Sequence, residues 1–254
     1  MPRFLYLRMR PVWGYALRAL PQSKTRVSLG VPPPTSLIGA LAYPLARVLG
    51  RREETLYLGG GGRRGRRGAA VSFWGEELRG RLLYVGAALG VASAGHGSIL
   101  KIQYTYRGDV LQGVAAMPVE VTAGSEGWID AVYVFREAPW GWGAVERAAW
   151  GVSRLGSRES PVYVEGVWSG EASEAVVESA RTRFSFYGVA PRDGEYRLAY
   201  VVDWRVARIG DYSGAPRVAA VYPRGYVEVG GPVRVYRLGL PWGVEEVVAG
   251  AGGG

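Results

Sequence analysis

FLYLRMR, residues 4–10, divides its side chains between two faces, with Phe4, Tyr6 and Arg8 on one and Leu5, Leu7 and Met9 on the other. A period of two over this length predicts a half-buried strand. Such a strand needs a layer to cover its apolar face, and the following residues supply one. VWGYALR, residues 12–18, predicts a short second strand. VPPPTSLIGALAYPLARVLG, residues 31–50, then offers stiff prolines, a Thr35 or Ser36 N-cap, and Leu37, Ile38, Leu41, Leu45 and Val48 at helical spacing. Pro44 is expected to kink or shorten that helix.

Strand patterns recur in KIQYTYRG, residues 101–108, and WIDAVYVF, residues 128–135. A second helix is predicted over residues 143–153, its apolar stripe formed by Ala144, Val145, Ala148, Ala149 and Val152. PVYVEGVW follows as another strand. The order strand-helix-strand-strand-helix-strand is the split pattern of a ferredoxin-like sheet, an architecture shared with RNA-recognition folds. The predicted fold class is therefore α+β: a ferredoxin-like, RRM-like domain over residues 1–168, with a β-rich C-terminal region over 169–254. In that second region RTRFSFYG, EYRLAYVVDWRVARIG, PRVAAVYPRGYVEVG and VRVYRL all read as strand and turn, and the final GAGGG is expected to fray.

The charge is distributed unevenly along the chain. Residues 1–70 hold twelve Arg and Lys24 against Glu53 and Glu54, 13 − 2 = +11, whereas the remainder carries 18 − 20 = −2. An excess confined to one part of the chain points to a phosphate-rich partner met by one face. Only Lys24 and Lys101 are lysines, and guanidinium suits bidentate phosphate binding. With no cysteine, thiol catalysis, disulfides and iron–sulfur clusters are excluded, and a single histidine, His96, excludes a multi-histidine metal site. The lack of Cys and the three Met suit a hot-growing organism. The N-terminus does not read as a signal peptide. The uncharged run from Leu82 to Leu100 is broken by Gly86, Gly90, Gly95, His96 and Gly97, so no membrane span is expected and a cytoplasmic location is the default.

Several segments are candidates for contact with a polyanion. GGGGRRGRRG, residues 59–68, is too glycine-rich and too charged to pack, so Arg63, Arg64, Arg66 and Arg67 are expected on an exposed loop that meets phosphates without reading bases. Lys24 and Arg26 belong to the same basic region, and the helix start at Thr35–Ser36 is a natural anion site. Lys101 opens the strand in which Tyr104 and Tyr106 alternate as stacking candidates. In GVSRLGSRES, residues 151–160, Gly156 is suited to a left-handed helix cap, while Arg154, Ser157 and Arg158 are placed to form a nest for phosphate. His96 is the one candidate general base, because imidazole titrates near neutrality.

VPPPTSLIGALAYPLA and SRLGSRESPVYVE together resemble a CRISPR-associated protein of the fifth Cas family, in the archaeal type I-A form, a RAMP-superfamily subunit of the Cascade interference complex. The likeness runs from the first strand to about Val167. It implies a subunit that caps the five-prime handle of the CRISPR RNA, packs against the last backbone protomer and the large subunit, meets target DNA only through the complex, and projects a thumb hairpin over the RNA. It implies no cofactor. Three readings stay open from the residues: a non-catalytic RNA-binding subunit, which is preferred; a metal-independent endoribonuclease using His96 on precursor RNA; and an assembly subunit whose basic face only aids packing.

Overall fold

The computed structural model describes residues 1–12, 14, 15, 17, 29–52, 55–58, 69–90, 95–107, 110–123, 127–156, 160–212 and 214–252, with the backbone alone for 55–58, 69–70, 95–107 and 110–123. The first strand, β1 (Arg3–Pro11), is buried on both faces rather than one. Leu5, Leu7 and Met9 enter a core with Leu37, Ile38, Leu41 and Leu45 of α1 (Pro34–Val48) and with Ala144, Val145, Ala148 and Ala149 of α3 (Trp142–Trp150). Phe4 and Tyr6 on the opposite face enter a second core. The neighbouring strand β7 (Ile129–Phe135) repeats this division and is buried at all seven positions.

What covers the second face is the sheet itself. β8 (Val162–Thr182) runs 21 residues without a break, pairing over its first half with β1 and over its second half with β13 (Val227–Leu240). β13 also pairs with β14 (Gly243–Ala251), and β4 (Leu82–Leu89) closes the other end beside β7. With β10 (Pro191–Asp193) this makes a seven-stranded antiparallel sheet that curls into a half-barrel. The curl brings Tyr236, Leu238 and Leu240 of β13 and Val247 of β14 onto Phe4 and Tyr6. A third core of valines with Phe186 lies between β13 and the small sheet formed by β11 (Tyr196–Val202), β12 (Arg217–Pro223) and β9 (Phe186–Tyr187).

The expected α+β ferredoxin-like fold with a β-rich extension is thus overturned. Among the described residues the chain is mostly β, with fourteen strands and three helices. The physical reason is that the period-two signal of FLYLRMR gives the geometry of a strand but not the nature of the layers on it, and here one of those layers is β. The position 168/169 falls inside β8.

Several element boundaries also differ from expectation. α1 starts with Pro33 as N-cap and Pro34 as its first residue, and neither Thr35 nor Ser36 caps it. The fixed φ of proline suits that position, and the missing N–H costs nothing there. The helix continues through Pro44 to Val48. α3 ends at Trp150 with Gly151 as C-cap, short of Ser153. A further helix, α2 (Phe73–Arg79), has no counterpart in the sequence reading; its N-cap is Ser72, whose Oγ accepts from the Gly75 N–H at 3.0 Å. GAGGG is held in part: β14 reaches Ala251, and the Gly252 N–H donates to the Pro232 carbonyl. VWGYALR lies partly outside the described residues. Among those described, no helix is long and apolar enough to cross a membrane, and Leu82–Leu89 of the uncharged run is β4.

Candidate nucleic-acid interface

The two motifs, distant in the sequence, meet in space. After α3 the chain makes a tight return in which Arg154 bridges Pro161, the Leu155 N–H donates to the Ser160 carbonyl, and the Val162 N–H donates to the Ser153 carbonyl. Gly156 sits in that turn at φ +70°, the left-handed region. A Cβ there would lie 3.3 Å from the Ser36 Oγ, so the turn rests directly against the first turn of α1. Gly156 is therefore a turn residue facing α1 and not the cap of α3, because the helix has already ended at Trp150 with Gly151 as its cap. Thr35 beside it is hydrogen-bonded to the phenol of Tyr212. Arg154 is exposed, and Ser157 and Arg158 lie outside the described residues.

The remaining sequence candidates are spread over other parts of the chain. Lys101, Tyr104 and Tyr106 belong to β5 (Gly95–Arg107), opposite Met117, Val114 and Leu111 of β6 (Val110–Ala123), with a register shift between Thr105 and Tyr106. This hairpin forms its own two-stranded sheet, and His96 stands near its base opposite Thr122. Lys24, Arg26, Arg63, Arg64, Arg66 and Arg67 lie outside the described residues.

A group that sequence reading missed occupies the sheet face opposite the helices. Asp130, fully buried on β7, accepts from the Arg8 Nε at 2.9 Å, the Arg183 Nη1 at 2.9 Å and the Trp128 indole N–H at 3.1 Å. Arg183 also donates to Glu245 at 3.1 Å and to the Tyr6 hydroxyl at 2.7 Å, and the Tyr226 hydroxyl reaches the same Glu245. Burial first, and then the charge of Asp130, push the Tyr6 hydroxyl far above its ordinary range, so it stays protonated. Two guanidiniums sharing one buried carboxylate leave an excess charge that Glu245 balances.

Aromatic rings surround this network. The Arg8 guanidinium carbon lies 4.8 Å from the Trp128 ring centre, 5.3 Å from that of Trp242 and 5.9 Å from that of Trp168. Trp168 and Trp242 meet edge to face at 4.8 Å, and Tyr6 contacts both. The indole of Trp128 lies flat where a side chain of Gly90 would be: a Cβ at that position would come within 2.0 Å of it. The signal in the sequence was the place of Arg8 on the same face as Phe4 and Tyr6; its partners come from strands that the period-two pattern cannot order.

No family model matches the chain, and no curated protein matches it. The fold itself has been seen before. A crystal structure described as a CRISPR protein from Archaeoglobus fulgidus matches with a TM-score of 0.60 at 20% identity, covering 98% of this chain and 99% of that one. At that identity the likeness is one of fold.

Proposed function

We propose that this protein is a non-catalytic, RNA-binding subunit of a CRISPR effector complex. The observation that carries the reading is the match in fold, along nearly the whole of both chains, to the Archaeoglobus CRISPR protein. Two further features support it: the +11 balance of residues 1–70, and the packing of the Gly156 turn, with exposed Arg154 beside it, against the start of α1. Within that reading, the resemblance of the two motifs to the archaeal type I-A form of the fifth Cas family gives the finer proposal: the subunit caps the five-prime handle of the CRISPR RNA and joins the backbone and large subunits. It acts on target DNA only through the complex and does not itself cleave RNA, its one histidine being His96.

The test is to purify the assembly from its host and sequence the nucleic acid it carries, then to measure handle binding by the wild-type chain across a series of salt concentrations. Phosphate contacts release counterions, so affinity should fall steeply with salt, and replacing Arg63, Arg64, Arg66 and Arg67 with alanine should flatten that slope. Arg154→Ala should weaken binding by about 1–3 kcal/mol, the range of a hydrogen bond from a charged group, with little change in melting temperature. An assembly free of RNA would overturn the reading, and metal-independent cleavage that disappears in His96→Ala would replace it with an endoribonuclease.

A further inference from the structure

Three exposed aromatic side chains stand along one band of the sheet face opposite the helices, and each has a guanidinium beside it. Tyr163 on β8 is 52% exposed and stands opposite Arg10 of β1 in register, so the two share a face. Arg10 is ion-paired with Glu165 and also lies over Trp128. Trp242, at the turn between β13 and β14, is 46% exposed beside Arg8. Tyr226 is 46% exposed, with the guanidinium of Arg181 over its ring at 4.5 Å. The chain of hydrogen bonds through Arg8, Asp130, Arg183 and Glu245 to the Tyr226 hydroxyl links the Arg8 beside Trp242 to Tyr226, and Arg10 joins it through Trp128, whose indole N–H donates to Asp130.

We infer that this band is a stacking surface for the unpaired bases of single-stranded RNA. Its charges decide against a phosphate site: Arg8, Arg10, Arg181 and Arg183 stand with Asp130, Glu165 and Glu245, 4 − 3 = +1, and three of the four guanidiniums are already held by carboxylates. What the band leaves exposed is π surface, the open parts of the Tyr163, Trp242 and Tyr226 rings. Ring faces flanked by guanidinium planes accept any base, because every base presents a π face. In register, Trp168, against which Trp242 packs at 4.8 Å, stands opposite Tyr6, and Tyr163 stands opposite Arg10, four residues further along β1, or about 13 Å at the rise of a strand. The band therefore has room for more than one base. The inference rests on the RNA-binding reading above and adds where bases, as distinct from phosphates, are held.

The experiment uses the full-length protein and fluorescently labelled single-stranded oligoadenylate, with a duplex RNA of the same length as control. Tyr163→Ala and Trp242→Ala, each checked by thermal melting, should weaken oligoadenylate binding about 5- to 150-fold, the range for losing one stacked base. They should leave the salt slope as in the wild type, because stacking releases no counterions. Duplex binding should not change, and Trp242→Phe should restore most of the affinity. Tyr163 makes no ring contact among the described residues, so its variant stays informative even if Trp242→Ala folds poorly. Variants that fold and bind oligoadenylate like the wild type would overturn the inference, as would unchanged RNA affinity with loss of co-purifying subunits, which would make the band a protein-docking face. Failure of the wild-type chain to bind any RNA would instead overturn the reading on which the inference rests.

Discussion

Asp130 is the residue on which the sheet face turns. It is fully buried, receives two guanidiniums and an indole N–H, and sits between the apolar positions Ile129 and Ala131 on β7. A neutral amide in its place would leave Arg8 and Arg183 facing each other with only Glu245 to compensate. Breaking one side of a buried ion pair costs about 3–5 kcal/mol because the remaining charge stays desolvated. Asp130→Asn is expected to lower the free energy of unfolding by that order, measured by urea denaturation. It should also shift the fluorescence of Trp128, whose indole loses its acceptor. A loss under about 1 kcal/mol would mean that water reaches the two arginines, and that the network is a surface feature.

Among the elements, the β13–β14 hairpin has a task that its own sequence does not announce. Leu238 of β13 is fully buried against the Phe4 and Tyr6 face of β1, the face that an open sheet would leave to solvent. Leu238→Ala should therefore destabilise the protein by about 2–5 kcal/mol, as for any large-to-small change in a closed core. Leu7→Ala, on the helical side of the same strand, should cost a similar amount. Chemical denaturation of both variants distinguishes a sheet buried on two sides from one buried on one side, in which only Leu7→Ala would be costly.

For the molecule as a whole, the packing of tyrosines sets a limit in alkali. Burial raises the hydroxyls of Tyr15, Tyr84, Tyr133, Tyr187 and Tyr222 above the ordinary value of 10.0. Since the folded value exceeds the unfolded one, each contribution to stability is fully present below the unfolded pKa and is lost as pH rises through the folded value. Tyrosinate absorbance from these residues should consequently appear together with loss of near-ultraviolet circular dichroism, in one transition above the ordinary tyrosine range. Titration of all the tyrosines near that range, with the dichroism intact, would show that the rings are accessible in the native state.

Local pattern was enough to determine β1, β7, the bodies of α1 and α3, and the concentration of positive charge in the first 70 residues, because periodicity and charge are properties of neighbouring residues. It also singled out Gly156, where the turn does take a left-handed backbone. It did not reveal α2, whose seven residues are too few to establish a period. Which layer covers Phe4 and Tyr6, the contact of the Gly156 turn with Ser36, and the gathering of Trp128, Trp168 and Trp242 around Arg8 were decided only by tertiary structure. Each depends on strand pairings between distant parts of the chain. A period of two says that a strand has two faces, but the curl of the sheet and the register of β8 with β1 and β13 decide what lies against each face.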